Sequence, residues 1–505
     1  MTKRYDAVVV GAGLGGLSAA TAMARAGLGV CLLERHNIPG GYATSFVRGR
    51  FEFEVALHEL SGIGAAGEAT KLDAFLDHLG VSAEVEIVRV PELYRSIFPD
   101  LDVVLPSGWD SYEATLCELF PREADGLHRF LGRVQKVGRE VQEITRHYNF
   151  GNPLTAPTRF PNVIRYLPAT WGQLLDHDIR DPRARAVLSQ YWGYFGMGPS
   201  RVSGLYFAVA LDAYVRLGPS YVKGRSQALS NAFVRAFERH GGDVRFNCGV
   251  RSITTDGGHV SGVITEQGEP IEAPFVVSNA DPITTCRELL AEGEVGRRFF
   301  DSMRHRTVAP SSVNVYLGLA CPREELGELV HENFVNSDYD MDSHYERFSS
   351  LVDPAVTLVT CYSSVVPEIS PPGTTMLVLT TLMYGDPWMR IPPEEYVDTK
   401  NRVAESMLRD AERLAPGLRD HIEELEVATP ITNMRYTGAL GGSIYGFNSP
   451  AFDHTILRMP PRGPVPGLFF AGAWTQPGGG FEPCMMSGKI AARAVRAQLE
   501  KGGRS

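Results

Sequence analysis

Between residues 6 and 41 the apolar positions change period twice. Asp6-Ala7-Val8-Val9-Val10 is a short continuous apolar run of the kind a buried strand requires. Gly11-Ala12-Gly13-Leu14-Gly15-Gly16 interrupts it. An Ala-rich stretch of helical period follows, then a second apolar strand ending at Glu34-Arg35, then Gly40-Gly41. Strand, glycine turn, helix and strand in this order predict a nucleotide-binding βαβ unit. Gly11 allows the tight turn, Gly13 lets the backbone approach a pyrophosphate, and Gly16 lets the helix pack on the strand, with Gly15 in the same turn. The helix start offers free N–H groups and its positive dipole end to the phosphate. Glu34, eighteen residues after Gly16, stands where an acid hydrogen-bonds the ribose hydroxyls of an adenosine and disfavours a 2′-phosphate.

Further along, Ser226 to His240 has helical spacing (Leu229, Ala232, Phe233, Ala236, Phe237) and stops at Gly241-Gly242. Strand-like runs follow at 243–246, 250–254, 259–265 and 275–277, before Ser278-Asn279-Ala280-Asp281. Near the C-terminus, Gly467 to Gly472 reads as a buried strand reaching a glycine, followed by Gly478-Gly479-Gly480 and a helix from about Pro483 to Leu499. The nucleotide domain is therefore predicted to be assembled from three separated segments. Between them, 111–148 and 395–426 pattern as amphipathic helices, and 306–320, 356–362 and 375–384 alternate as strands. Residues 191–217 are rich in aromatics, Gly and Met. They read either as a core helix pair with a loop, or as the wall of an apolar tunnel or a membrane-facing lip.

Composition narrows the class. At 505 residues the chain is too long for one simple core, and two connected domains are the natural expectation. With 44% apolar and 21% charged residues it reads as an ordinary soluble globule. No window approaches the roughly 18 uninterrupted apolar residues of a transmembrane helix. The formal net charge of -10 argues against a nucleic-acid binder and leaves room for local basic patches that touch a membrane. The glycine-interrupted N-terminal stretch lacks the cleavage region of a signal peptide and reads as core structure. Seven scattered cysteines without metal-like spacing to His predict buried thiols in a cytoplasmic chain and no metal site. Cys484 is kept in view because of its neighbours.

With these segments in place, the chain resembles the FAD-dependent phytoene desaturase, carotenoid isomerase and retinol saturase family of amine-oxidase-like flavoproteins. The residues that carry the resemblance are Gly11 to Gly16, Glu34-Arg35 with Gly40-Gly41, Phe53 to His58, Gly241-Gly242 through Asn279-Ala280-Asp281, Gly442 to Gly446, and Phe470-Ala471-Gly472 through Ser487-Gly488. The resemblance implies an α/β fold: a discontinuous Rossmann-like FAD-binding domain of the GR2 type (1–65, 221–290 and 456–505) with an α+β substrate-binding domain (66–220 and 291–455). It implies FAD as cofactor. Gly11, Gly13, Gly15 and Gly16 would admit the pyrophosphate, Glu34 the ribose, and Arg35 the adenine or its phosphate. Gly40 and Gly41 would pass over the pyrophosphate, Val250 would present its backbone to the adenine, and Gly472, Gly480 and Phe481 would approach the ribityl chain and flavin. Two departures stand out: Ala473 followed by Trp474 where relatives carry an acid, and Glu54 and Ala56 where relatives often have Asp and Gly.

The implied chemistry is hydride transfer at flavin N5 that desaturates, saturates or isomerises an elongated apolar, isoprenoid or carotenoid-like substrate. His58 is the candidate base or polar positioner. Glu54, Glu59, Tyr445, Trp474, Glu482 and Cys484 are the other polar candidates, each equally at home as a packing, capping or buried structural residue. The alternatives are a flavin-dependent oxidase of an amine or other small metabolite, and a flavin-free isoprenoid-binding protein of the Rab GDP-dissociation-inhibitor kind. The expected partner is a small apolar substrate, with peripheral membrane contact and no nucleic acid; nothing in the sequence speaks to oligomeric state.

Overall fold

The computed structural model describes residues 4–65, 68–147 and 155–502. Strands β1 (Ala7–Val10), β2 (Val30–Leu33), β3 (Asp243–Arg245), β4 (Val276–Ser278) and β5 (Leu468–Phe470) form a parallel sheet in the order β5-β4-β1-β2-β3. Every residue of β1, β2, β4 and β5 is buried, which explains their continuous rather than alternating apolar runs. Neighbours in this sheet come from chain regions far apart: Val8 pairs with Val276, which pairs with Leu468.

Three helices pack around this sheet: α1 (Leu14–Arg25), α2 (Arg225–Arg239) and α3 (Phe481–Gly502). Ten of the twelve residues of α1 are buried, so it has no solvent face, and its Gly, Ala and Ser content suits close approach on several sides. On one side Thr21 Oγ1 donates to the Phe233 carbonyl of α2 at 3.4 Å. On the other, Ser18 Oγ donates to the Met485 carbonyl of α3 at 2.9 Å. An antiparallel meander over Val250–Asp256, His259–Thr265 and Pro270–Glu272 lies between β3 and β4 in the chain.

A second sheet has seven strands in the order Ile422–Ala428, Ser311–Leu319, Thr375–Met383, Val356–Cys361, Glu332–Asn336, Glu92–Phe98, Leu101–Pro106. All its pairings are antiparallel except Glu332–Asn336 with Glu92–Phe98. The second and third strands, Ser311–Leu319 and Thr375–Met383, are buried along their whole length. Their alternation separates two faces. Val313, Val315, Leu317 and Leu379 pack with Val403, Met407 and Ala411 of the helix Tyr396–Leu414, whereas Ser312, Asn314, Thr380 and Leu382 face a cavity.

Two sequence expectations fail here, both at prolines. The stretch 395–426 is not one helix: it ends at Leu414 before Pro416, and Ile422–Ala428 becomes an edge strand paired with Ser311–Leu319. The stretch 111–148 is broken at Pro121 into Trp109–Leu119 and Ala124–His147, residue 148 lying outside the described residues. In 191–217, a short 3-10 turn (Gln190–Phe195) and a helix (Gly204–Leu217) replace a helix pair. All seven cysteines are free, four buried and three half-buried, so burial of the thiols is incomplete. The strand ladder also brings donor atoms of Cys321, Glu325 and His421 within 4.8 Å of one another, a grouping that linear spacing conceals. Among the described residues no helix is long and apolar enough to cross a membrane.

A Cβ on Gly488 would lie 2.0 Å from Ser18 Oγ and 2.3 Å from the Gly15 carbonyl oxygen. Gly488→Val is therefore expected to push α3 off α1 and to destabilise the fold by about 1–3 kcal/mol, the usual range for overpacking. A thermal melt identical to that of the wild type would contradict this close approach.

Candidate active site

A cavity of about 660 Å³ opens at the carboxyl ends of β1, β2 and β4 and runs to the inner face of the seven-stranded sheet. At the sheet end of this cavity, α1 begins at Gly13 with no capping side chain and no acid in its first turn, so its leading N–H groups are left for an anion. Gly11, Gly13 and Gly15 line the wall, with Gly11 at φ +92°. Gly40 and Gly41 face them, both at positive φ, and Gly40 N–H donates to the Ala12 carbonyl at 2.8 Å.

Glu34 lies at the rim beyond β2. One carboxylate oxygen accepts from Ala12 N–H at 2.6 Å and the other from His36 N–H at 2.9 Å, so the acid braces the glycine turn as well as facing the cavity. Arg35 is exposed and donates to the Tyr436 carbonyl at 3.4 Å, and Val250 lines the same end. Gly472, Gly480 and Phe481 border the middle of the cavity, where Gly472 N–H donates to Ser487 Oγ at 3.0 Å. Gly16 does not border the cavity: a Cβ there would lie 2.0 Å from the Gly11 carbonyl oxygen, so this glycine serves helix packing rather than ligand contact.

Asn279 is the residue that sequence reasoning underused. Its side chain fills the space under the glycine turn, so a Cβ on Gly13 would lie 2.5 Å from Asn279 Nδ2 and one on Gly15 2.5 Å from Asn279 Oδ1. Gly13 is thus required by a protein neighbour as well as by any phosphate. Asn279 Oδ1 is buried without a hydrogen-bond partner, a polar group turned toward the turn. The Ser-Asn-Ala-Asp stretch carried the signal, but nothing local to it shows that β4 ends beneath the glycine turn.

The far chamber is largely apolar, bounded by Trp192, Tyr194, Phe334, Phe348, Leu358, Leu382 and Ile444. The 191–217 segment, though not a helix pair, is partly core and partly cavity wall. Tyr191 and Phe195 are core, whereas Trp192 and Tyr194 are both packed and cavity-lining. His58 stands at this chamber. Its Nδ1 lies 2.8 Å from Thr360 Oγ1 and 3.5 Å from Glu332 Oε1, and its ring is 6.3 Å from that of Tyr194.

The other polar candidates divide sharply. Glu54 points away from the cavity: it accepts from Ser226 N–H at 2.7 Å, from Tyr221 OH at 3.1 Å and from the backbone N–H groups of 55–57. Ala56, two residues on, does line the cavity. Glu482 also points away, accepting from Ser61 Oγ at 2.8 Å. Cys484 borders the cavity, but burial pushes its thiol up to about 12, so it is no thiolate near neutral pH. Trp474 and Tyr445 line the cavity without pairing with each other. The first packs edge-on to Phe447 at 4.8 Å, and the second donates its OH to the Gly193 carbonyl at 3.0 Å. Ala473 leaves no carboxylate at its position; its carbonyl instead accepts from the buried Arg458 at 2.9 Å.

Glu59 is buried beside this group and accepts from Tyr191 OH at 3.1 Å and Tyr194 OH at 3.4 Å. Burial, reinforced by the nearby Glu332 carboxylate, holds the Glu59 carboxyl well above the usual glutamate range.

Comparison with known proteins places these features in context. The family model for flavin containing amine oxidoreductases matches residues 14–496. The chain is 25% identical to the chloroplastic prolycopene isomerase of Daucus carota, over 99% of this chain and 81% of that protein. It is 27% identical to the all-trans-zeta-carotene desaturase of Myxococcus xanthus, over 98% and 94%. Among solved structures it is similar in fold to a putrescine oxidase bound to putrescine, with a TM-score of 0.65 and 17% identity over 99% and 100% of the two chains.

The raised Glu59 carboxyl has a consequence for stability. The folded protein binds this proton more tightly than the unfolded chain. The stabilisation is complete below about pH 4.3, the unfolded glutamate value, and is lost as pH rises toward the folded value. Glu59→Gln keeps a neutral side chain at the position and is expected to flatten the fall in melting temperature as pH rises above about 4.3. Melts whose pH slope matches that of the wild type would show that Glu59 does not carry it.

Proposed function

The chain belongs to the family of flavin-containing amine oxidoreductases and is an FAD-dependent oxidoreductase, and on that premise we propose that it desaturates, saturates or isomerises an elongated apolar substrate of the isoprenoid or carotenoid kind. The observation that carries the substrate reading is the continuity of the cavity. It runs without a break from the glycine turn to a chamber walled by Trp192, Phe334, Phe348, Leu358 and Leu382. Such a chamber suits a hydrocarbon chain, whereas a cationic substrate would call for an exposed anionic wall. The carotenoid chemistry in the names of the Daucus and Myxococcus relatives supports the same class.

The residues present fit FAD. The uncapped start of α1 beside Gly11, Gly13 and Gly15 would hold the pyrophosphate, with Gly40 and Gly41 passing over it. Glu34 would accept from the adenosine ribose, and Arg35 and Val250 would flank the adenine. Gly472, Gly480 and Phe481 would border the ribityl chain and flavin. Bound there, FAD supplies an acceptor or donor of hydride at N5. The segments 66–220 and 291–455 would supply the substrate chamber, whose apolar walls align the chain and exclude water. His58, with Nε2 free of protein hydrogen bonds among the described residues, would take or give the proton. A hydrocarbon of this kind partitions into bilayers, so peripheral membrane contact by a cytoplasmic chain is part of the same reading.

Two measurements test this. Anaerobic mixing of a panel of polyenes and amines with the oxidised and with the reduced holoprotein is expected to change the flavin or polyene absorbance with polyenes, and a response to amines alone would reject the substrate class. Glu34→Ala is expected to weaken FAD retention by about 1.5–3 kcal/mol, the worth of a hydrogen bond to a charged group. Unchanged affinity in a flavin-release titration would move the ribose contact elsewhere.

A further inference from the structure

Behind His58 lies an acid that has no evident structural task. Glu332 is fully enclosed, yet neither carboxylate oxygen accepts a hydrogen bond. Two imidazoles approach it: His58 through Nδ1 at 3.5 Å and His331 through Nε2 at 3.9 Å. His331 is already engaged, since its Nε2 donates to the His58 carbonyl at 2.7 Å, and burial lowers its basicity. Among the described residues no lysine or arginine pairs with Glu332. The neighbouring acid, Glu59, has its carboxyl pushed up by burial and by Glu332 and is turned to the hydroxyls of Tyr191 and Tyr194, so it offers Glu332 no hydrogen bond. A buried carboxyl group without a donor is strongly unfavourable, which leaves His58 Nδ1, at 3.5 Å, as the group placed to supply one.

A carboxylate only accepts, and the Thr360 hydroxyl 2.8 Å from Nδ1 can accept or donate, so a proton on Nδ1 is the arrangement that gives Glu332 a donor and leaves the lone pair on Nε2. We propose that Glu332 is a positioning residue: it holds the Nδ1 proton of His58 and stabilises the imidazolium that forms when Nε2 takes a proton from the substrate. The proposal rests on the reading of the chamber as the site of hydrogen transfer. Removing two hydrogens from adjacent carbons takes one hydride, whose electron pair the oxidised flavin accepts, and one proton. Nε2 accepts that proton while the second C–H pair becomes the new π bond. In the reverse sense Nε2 would return the proton, with bound reduced FAD supplying the hydride. The groups that face His58 are Glu332 and Thr360 from the large sheet, Tyr194 from the 3-10 turn and His331 beside the strand.

The test reads the ring itself. Long-range proton–nitrogen NMR of the ¹⁵N-labelled, FAD-loaded protein without substrate is expected to find neutral His58 as the Nδ1–H tautomer, and to find that tautomer lost or mixed in Glu332→Gln. An Nε2–H tautomer in the wild type, which needs no variant to fold, would overturn the proposal, as would a tautomer indifferent to Glu332→Gln. In single-turnover flavin reduction, Glu332→Gln is expected to lower the plateau rate about tenfold or more. Glu332→Asp, which keeps the carboxylate, is expected to restore most of that rate. A plateau rate that does not fall in Glu332→Gln counts against the role. Because the tautomer is read without substrate, failure of polyenes to react with either the oxidised or the reduced holoprotein would reject the substrate class and leave this assignment standing.

Discussion

The nucleotide end of the molecule depends on one steric constraint: backbone meets backbone there with no room for a Cβ. Gly15 could not carry a methyl group without striking the Gly472 amide at 2.5 Å, nor Gly16 without striking the Gly11 carbonyl. Gly488 closes α3 onto the same turn. These contacts join parts of the chain some 470 residues apart, and Asn279 at the end of β4 fills what remains between them. The consequence is a cavity mouth at the carboxyl ends of parallel strands, beside a helix start that no side chain caps.

At the other end the organising force is electrostatic. Three buried glutamates, Glu54, Glu59 and Glu332, meet the cost of enclosure in three ways. Glu54 is saturated by Ser226, Tyr221 and a run of backbone N–H groups, which makes it an anchor. Glu59 has its carboxyl pushed up by burial and accepts from two tyrosines. Glu332 accepts no hydrogen bond, and the nearer of its two imidazoles, His58 at 3.5 Å, itself borders the cavity. The degree of satisfaction, rather than burial alone, separates the acids that hold the fold from the one poised to act through His58.

The chemistry that could be read in the linear sequence was local. The βαβ unit announces itself within 36 residues because a turn, a helix start and an acid at fixed spacing have little choice of arrangement, and the helix 226–240 and the strands 259–265, 356–362 and 375–384 follow from period alone. The misreadings share a physical cause. Residues 422–426 carry a pattern that suits an exposed helix face as well as a half-buried edge strand, and only the vacant edge of Ser311–Leu319 decides between them. Glu482 and Glu54 looked like site acids by proximity in sequence, yet each turns away because Ser61 or Ser226 offers a better-placed donor. Glu332 gave no signal at all, since its partner His58 lies 274 residues earlier in the chain.

By itself, then, the sequence determined the elements whose geometry is set by neighbours a few residues away: the glycine turn, the uncapped helix start, Glu34 at the end of β2, and the three segments that had to converge into one parallel sheet. The tertiary structure alone decided which side chains meet across the cavity. It placed Asn279 beneath the glycines, withdrew Gly16 from the ligand side, and set Glu332 behind His58. The reason is that these relations depend on strand order and on which face of a strand a residue presents, quantities fixed by long-range packing and invisible to any local window.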